Sequence, residues 1–285
     1  MDYDYIGAPW LSGKFCCTNP NNYIWLDLNG NATKTDNEIY RIVAVESDNT
    51  IKVISEKELT FMYWDSASNY ESRYSNISTD YCNSNYGCKI WGSKTTMLDS
   101  NGNNITQMPR KVSGELYDLP DKESSLNIYL NTTFLKKIDS KLNNNIVVHS
   151  YDVGLLLKGE EQTLVTDVLQ EKAYKWKGKI ALINATDYVK ASINSACTST
   201  YDYVNTSECY KNSNNHNYLY NSTHATYQWT LSPVSGSTTE VCVIAGSLSN
   251  YTVGYYSWSI FPTFYLASDV VLKGSGTIEQ PYTIE

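Results

Sequence analysis

The chain has little phenylalanine or histidine, no long hydrophobic run and no strongly basic segment. Its 285 residues include 5 Phe and 3 His but 25 Tyr. The longest apolar runs, GLLL at 154–157 and VCVIAG at 241–246, are far too short to span a bilayer. The net charge is −8 and no Lys/Arg cluster offsets it, whereas nucleic acids and anionic membranes require basic patches. We therefore expect no nucleic-acid partner and no membrane insertion by this segment.

Sequence motifs of common enzymes are also missing. The chain has no CxxC pair, no HExxH, no Gly-x-Ser-x-Gly elbow and no Walker loop. His149 lies in an apolar segment and is expected to be structural, while His216 and His224 lie in a polar loop and are expected to face water. A group of carboxylates is interpreted as solvated surface rather than a glycosidase pair: Glu115, Asp118, Asp121 and Glu123. We expect no catalytic residue and no cofactor, and the sequence leaves metal binding open.

Tyrosine is the most informative residue that is present. It clusters with Asn, Ser and Thr at 63–88, 197–227 and 249–259. Tyr offers a rigid face with a polar tip, and Asn and Ser add adaptable hydrogen bonds, a mixture typical of recognition loops. A low-GC genome would also enrich Tyr and Asn, and the loop tryptophans Trp64, Trp91 and Trp258 could instead anchor loops to the body. The predicted ligand contacts are Trp64, Tyr70, Tyr74, Tyr86, Tyr201, Tyr203, Tyr218, Tyr220, Tyr255, Tyr256 and Trp258.

The cysteines favour an oxidising compartment. Cys82 and Cys88 bracket one polar loop, and Cys197 and Cys209 bracket another, so we predict a disulfide across each. Cys242 is expected to pair with one of two adjacent cysteines, Cys16 and Cys17. The alternative is a chain of seven reduced cysteines. Residues 1–10 lack a signal peptide, so the protein is either cytosolic or an extracellular or cell-surface domain whose leader or anchor has been removed. The cysteines favour the second.

Hydrophobic periodicity predicts an α+β fold with two main helices, many short antiparallel strands and long Tyr/Asn-rich loops. Ser124 and Ser125 precede one helix, in which Leu126, Leu130, Phe134 and Ile138 form an apolar stripe. The second helix is expected at 163–175, and residues 61–120 are interpreted as a long loop insertion. Strands are expected at 22–28, 39–46, 50–56, 145–150, 153–157 and 178–185, and in QWTLSP, EVCVIAGS and FPTFYLASDVVL.

An ordered set of segments resembles a known domain. PNNYIWLDL, IYRIVAVESDNTIKVI, SSLNIYLNTTFL, KGKIALINATDYVKA, QWTLSP and FPTFYLASDVVLKGSGTIEQPYTI resemble an uncharacterised extracellular domain of low-GC Gram-positive bacteria. That domain often follows a pilin-like or other membrane-anchoring helix and is related to the C-type-lectin-like fold of the formylglycine-generating-enzyme group. The resemblance implies one extracellular lectin-like domain over 1–285, with a β-hairpin region at 1–60, the insertion at 61–120 and a helix–strand core at 121–285.

The resemblance implies a scaffold but transfers no active site. The Gly-Gly-Ser-Trp signature of the group is replaced by Ala245, Gly246, Ser247 and Leu248, and no copper-binding cysteine pair or lectin calcium motif can be matched. The sequence therefore predicts a non-enzymatic cell-surface module that binds a protein or glycan on another cell or surface. The alternatives are a minor-pilin-like subunit, assembling with itself or other chains through an N-terminal anchor, and an oxidase or hydrolase on the same scaffold.

Overall fold

Short strands are the most abundant regular elements of the structure. The computed structural model describes residues 20–68, 81–109, 114–156, 163–194, 196–197, 199–205, 209, 217–219, 227–245 and 247–285. Within these residues the strands are β1 (Tyr23–Trp25), β2 (Ile39–Val45), β3 (Ile51–Ser55), β4 (Thr60–Met62), β5 (Cys82–Asn83), β6 (Gly87–Cys88), β7 (Met97–Asp99), β8 (Gln107–Pro109), β9 (Leu116–Asp118), β10 (Ile146–Val147), β11 (His149–Asp152), β12 (Tyr174–Gly178), β13 (Ile180–Ala181), β14 (Gln228–Pro233), β15 (Glu240–Ile244), β16 (Leu248–Thr252), β17 (Trp258–Ile260), β18 (Thr263–Leu266), β19 (Leu272–Lys273) and β20 (Thr283–Ile284).

The helices are short, and the longest described α-helix has nine residues. They are α1 (Ser125–Ile128), α2 (Ser140–Asn145), α3 (Leu164–Lys172), α4 (Ala185–Lys190) and α5 (Thr200–Asn205). A 3₁₀ turn occupies Asp36–Glu38. After α1 the chain continues as a π-helical turn at Tyr129–Phe134 and a 3₁₀ turn at Leu135–Lys137. Ser124 caps α1 by accepting a hydrogen bond from the Asn127 amide at 3.2 Å, as its sequence predicted.

Two larger sheets organise the strands. One has the order β1-β2-β3-β18-β10, with β13 also pairing with β18, and the other has the order β16-β15-β14-β17-β4. A three-stranded sheet has the order β11-β12-β7, and three two-stranded pairs, β5-β6, β8-β9 and β19-β20, complete the set. Alternation along β2 and β3 places Ile42 and Val53 in the main apolar core and Val43 and Ile54 in a second, smaller one.

The predicted α+β lectin-like class is wrong, because strands predominate over helices. The apolar stripe from Leu126 to Ile138 is buried as expected, but its helix changes to π and 3₁₀ geometry after four α-helical residues. The second predicted helix ends at Lys172, and Tyr174 already begins β12. The segment at 153–157 forms only an isolated bridge at Leu156, and the buried strand predicted at 178–185 is limited to β13.

Several side chains in the described part of 61–120, which the sequence analysis interpreted as a loop insertion, are buried in the main core. Trp64, Trp91 and Trp229 are almost completely buried. The Trp64 ring lies edge-on to Trp91 at 5.0 Å and to Trp229 at 6.2 Å between centroids, and Trp91 lies edge-on to Trp176 at 5.9 Å. Edge-to-face aromatic pairs add stability beyond the burial of their area. These tryptophans connect the 61–120 segment to β12 and β14.

A buried carboxylate fixes the segment next to Trp64. Asp65 is fully buried, and its Oδ2 accepts a hydrogen bond from the Cys88 amide at 2.8 Å. Its Oδ1 accepts from the Ser125 amide at 3.1 Å and from the Ser125 hydroxyl at 2.6 Å. The Ser125 amide belongs to the first turn of α1, where amides have no partner within the helix. Asp65 therefore joins the β5-β6 hairpin to the start of α1.

We predict that Asp65→Asn lowers the free energy of unfolding by about 2–3 kcal/mol. Both carboxylate oxygens accept from N–H groups, so an amide NH₂ must face at least one donor in the variant. Urea unfolding measured by circular dichroism provides the readout. Asp269→Asn, at an exposed position, is the control and should change stability by less than about 0.5 kcal/mol. Equal stabilities of the two variants would contradict the role of Asp65.

Candidate functional site

Six aromatic side chains form a continuous surface cluster, which we name the aromatic surface: Tyr86, Tyr227, Tyr251, Tyr255, Tyr256 and Trp258. Trp258 lies between two tyrosine rings, with centroid distances of 4.3 Å to Tyr227 and 4.9 Å to Tyr256 and interplanar angles of 28° and 31°. Tyr251 is nearly perpendicular to all three stacked rings. Tyr255 extends the cluster by a 4.5 Å edge contact with Tyr256 and a 5.9 Å contact with Tyr86.

The five-stranded sheet positions these rings. Tyr251 lies on β16, Trp258 begins β17, and the turn between the two strands carries Tyr255 and Tyr256. Tyr227 immediately precedes β14, and its carbonyl accepts a 2.9 Å hydrogen bond from the Ser259 amide. Because β14 and β17 run parallel as neighbours, the Tyr227 and Trp258 rings come from adjacent strands and can stack.

The β5-β6 hairpin supplies the sixth ring. A disulfide between Cys82 and Cys88 closes the hairpin, and Tyr86 lies in its turn. Gly254 packs directly against the backbone of Tyr86, and a side chain at that position would overlap the Tyr86 carbonyl. The Trp64 amide also donates a 3.1 Å hydrogen bond to the Val253 carbonyl. The hairpin and the 253–257 turn are thus held against the same tryptophan core.

Two rings of the aromatic surface face solvent strongly. Tyr255 is 55% exposed and Tyr256 is 43% exposed, while the other four rings are partly buried. On the neighbouring edge strand β4 and just after it, Phe61 and Tyr63 are also exposed. The pKa of Tyr251 is raised by its hydrogen bond to Tyr227, by burial and by the neighbouring rings of Tyr227 and Tyr256. The surface therefore offers aromatic faces and tyrosine hydroxyl groups.

The structure brings four predicted ligand contacts together: Tyr86, Tyr255, Tyr256 and Trp258. Sequence reasoning missed Tyr227 and Tyr251 as contacts, although both lie within the Tyr-rich stretches at 197–227 and 249–259. Their positions relative to strands could have indicated them. Tyr227 directly precedes β14 and Tyr251 lies within β16, and from such positions a ring can project onto a neighbouring strand. Tyr70, Tyr74 and Tyr220 lie outside the described residues, as does the side chain of Tyr201.

Three predicted contacts are buried, so the expectation that they face a ligand is wrong: Trp64, Tyr203 and Tyr218. Trp64 is part of the tryptophan core. Tyr203 packs edge-on to Tyr188 at 5.2 Å and accepts a hydrogen bond from the Asn217 amide at 3.2 Å. Tyr218 donates to the Val43 carbonyl at 3.4 Å, and the Arg41 guanidinium lies over its ring. Buried polar partners satisfy these hydroxyls, so tyrosine clustering in sequence does not by itself indicate exposure.

Both predicted loop disulfides, Cys82–Cys88 and Cys197–Cys209, are present in the structure. They are consistent with an extracellular protein. The pairing expected for Cys242 depends on Cys16 and Cys17, which lie outside the described residues. His149 has the structural environment that its sequence indicated, because its ring stacks on Tyr265 at 3.7 Å and its Nδ1 lies 3.0 Å from the Ser150 carbonyl.

A second feature is a polar cleft of about 230 Å³ between the six-stranded sheet and the helices α3 and α4. On its floor, Lys52 Nζ lies 2.6 Å from Asp187 Oδ2, and both side chains are almost completely buried. Burial alone would lower the pKa of Lys52 and raise that of Asp187, but their attraction reverses both directions, so the pKa of Lys52 is raised and that of Asp187 is lowered. The two charges therefore stabilise each other at neutral pH.

Glu171 also lines the cleft and has an unusual pKa. Its Oε1 accepts a hydrogen bond from Ser232 at 2.5 Å, and its Oε2 accepts from Thr186. Burial raises the pKa of Glu171 to about 7 from the model-compound value of 4.5, although these two hydrogen bonds oppose the rise. The carboxyl group therefore exchanges its proton near neutral pH.

No protein-family model, no curated protein and no solved structure matches this chain. None of the helices that the structure describes is long and apolar enough to cross a membrane. Within the same described residues, no group of three or more His, Cys, Asp or Glu side chains is arranged to hold a metal ion. The aromatic surface and the polar cleft are therefore interpreted from their own geometry.

We predict that Gly254→Ala destabilises the protein by about 1–3 kcal/mol, because the added methyl group overlaps the Tyr86 carbonyl and the hairpin must move. Denaturant unfolding gives the stability. Ser257→Ala, an exposed position in the same turn, is the matched control and is expected to stay within about 0.5 kcal/mol of wild type. A Gly254→Ala variant as stable as the control would show that the hairpin does not depend on this contact.

We predict that stability falls between pH 5 and pH 8 because of Glu171. Its folded-state pKa is raised, so in this window the folded protein keeps a proton that the unfolded chain has lost, and rising pH favours unfolding. Glu171→Gln keeps the shape and removes the titration. Measured by urea unfolding, the stability of wild type relative to Glu171→Gln should decrease by about 2–3 kcal/mol from pH 5 to pH 8. If the stabilities of wild type and Glu171→Gln changed equally with pH, the raised pKa would not belong to Glu171.

Proposed function

We propose that this protein is a recognition module that binds a neutral carbohydrate through the aromatic surface. The observation that carries the proposal is the stack in which Trp258 lies between Tyr227 and Tyr256, next to the exposed Tyr255. Tyr and Trp rings present flat apolar faces, which suit the C–H faces of sugar rings, and tyrosine hydroxyls can hydrogen-bond to sugar hydroxyls.

Rigidity of the aromatic surface also supports binding. The two segments that carry Tyr86, Tyr255 and Tyr256 are each anchored. The β5-β6 hairpin is held by its disulfide and by Asp65, and the 253–257 turn is held by the hydrogen bond from the Trp64 amide. A preorganised surface loses little conformational entropy when a ligand binds. The two disulfides agree with an extracellular protein, and we place the carbohydrate on the surface of another cell or in the extracellular matrix.

The proposal is tested with the purified chain on an array of neutral and charged oligosaccharides, followed by calorimetric titration of the ligand that binds. The double variant Tyr255→Ala/Tyr256→Ala should lose about 2 kcal/mol, roughly 30-fold in Kd, because it removes the two exposed faces. Tyr255→Phe/Tyr256→Phe keeps both faces and should lose at most about 1 kcal/mol per hydroxyl hydrogen bond.

Ile278→Ala serves as the control, since it removes an exposed apolar side chain and leaves every ring of the aromatic surface in place. It is expected to bind the oligosaccharide as wild type does. The proposal fails if no neutral oligosaccharide binds, or if the bound one is insensitive to the loss of both tyrosines. Binding of a protein in place of any glycan would assign the aromatic surface to a protein partner instead.

A further inference from the structure

The polar cleft contains charged groups of both signs, and some of them have no partner among the described residues. Its walls come from the six-stranded sheet, from β11 and β12, and from α3 and α4. Lys52 and Asp187 pair with each other, and both oxygens of Glu171 accept hydrogen bonds from neighbouring hydroxyls. These three side chains form the floor of the cleft, and their charged groups are already engaged with partners of the protein itself. The groups available to a ligand lie above it.

Besides Glu46, which also lines the cleft, the available anion is Asp152. It is half-buried on β11 and lines the cleft, and burial raises the pKa of its carboxyl group. The Asn184 side-chain amide donates its 2.7 Å hydrogen bond to the backbone carbonyl of Asp152 and not to the carboxylate. Within the described part of the chain its carboxylate accepts no hydrogen bond and lies in no ion pair. A desolvated carboxylate without a donor is unfavourable, so a ligand that donates N–H groups to it would be stabilised.

Lysines are the available cations. Lys172, Lys175 and Lys190 line the cleft from α3, β12 and α4, and none of them is within ion-pair distance of a carboxylate in the described ranges. Lys52 on the floor, followed by Lys175 and Lys172, lies close enough to Asp152 to lower its pKa against the effect of burial. A ligand that placed only an anion here would bring it near Asp152, and a ligand that placed only a cation would face three lysines.

We propose that the cleft binds a small zwitterion, an α-amino acid or a compound with the same adjacent ammonium and carboxylate groups. The ammonium group donates to Asp152, and the carboxylate lies among Lys172, Lys175 and Lys190. Charge-assisted hydrogen bonds of this kind are stronger than neutral ones. The volume of about 230 Å³ is below the range of about 300–1,000 Å³ typical of pockets for drug-sized ligands, so it suits a compound of amino-acid size.

Calorimetric titration of the intact chain tests the proposal with the twenty common amino acids as probes. For each amino acid that binds, the matching amine without the carboxylate and the matching acid without the ammonium group are titrated in parallel. Both analogues should bind at least tenfold more weakly. Inorganic phosphate is included as a simple anion and should not compete. Equal binding of the acid analogue or of phosphate would show an anion site and overturn the zwitterion assignment.

Two variants address the two charges separately. Asp152→Asn removes the anion without changing the shape, and Lys175→Gln removes one rim cation; each should weaken amino-acid binding at least tenfold. Asp118→Asn, at an exposed position on β9, is the control and should bind as wild type does. Thermal unfolding of each variant confirms that it is folded. No amino-acid binding by wild type, or binding unchanged in both cleft variants, would refute the proposal.

This site is independent of the proposed carbohydrate binding. The cleft lies on the six-stranded sheet and helices α3 and α4, whereas the aromatic surface lies on the five-stranded sheet and the β5-β6 hairpin. The Tyr255→Ala/Tyr256→Ala variant should therefore bind the amino acid with wild-type affinity. An amino acid that loses affinity in that variant would place its site at the aromatic surface and overturn the assignment to the cleft.

Discussion

The buried Asp65 carboxylate is the interaction on which the arrangement of the candidate site depends. It accepts hydrogen bonds from Cys88 in the hairpin and from Ser125 at the start of α1. The adjacent Trp64 packs against Trp91 and Trp229 and donates its amide to Val253. A buried polar group is tolerated only when hydrogen bonds compensate its lost hydration, so these partners must be held in fixed positions. The Asp65 carboxylate thus fixes the hairpin and the start of α1, and the Trp64 amide fixes the 253–257 turn beside them.

Local patterns in the sequence predicted several elements well. Period-two patterning predicted β2 and β3 and the hairpin between them. The Ser124 cap and the four-residue spacing predicted the buried stripe of α1 and the turns that follow. Short polar loops between cysteines gave both disulfides. Each of these features depends on residues close together in the chain, so one sequence carries its signal.

Long-range features were not visible in the same way. Trp64 and Trp91 occur among Tyr, Ser and Asn residues, which suggested an exposed loop, yet Trp64 packs against Trp229 and Trp91 against Trp176, both distant in the chain. The change of helix geometry after α1 was not visible either, because it occurs where the Asn131 side chain bonds to both backbone groups of Ile180, a contact between distant residues. The stack of Tyr227, Trp258 and Tyr256 likewise requires the pairing of β14 with β17.

Tyrosine has two roles here that composition alone does not separate. Tyr151 and Tyr203 are buried with bonded hydroxyls, Tyr151 donating to the Lys179 carbonyl at 2.7 Å, whereas Tyr255 and Tyr256 are exposed. The buried group explains much of the tyrosine content as core packing with polar partners. Among the residues that the structure describes, the rings of the aromatic surface come from all three Tyr-rich stretches, and the recognition hypothesis applies to these rings and not to the buried tyrosines.

Saturation-transfer NMR with an oligosaccharide that binds on the array tests the central claim most directly. The account predicts that saturation of the aromatic protons transfers mainly to the C–H protons on one face of a sugar ring. This transfer should persist in Tyr255→Phe/Tyr256→Phe and disappear in Tyr255→Ala/Tyr256→Ala. Transfer that is spread evenly over the sugar, or that is unchanged when both tyrosines are replaced by alanine, would contradict it.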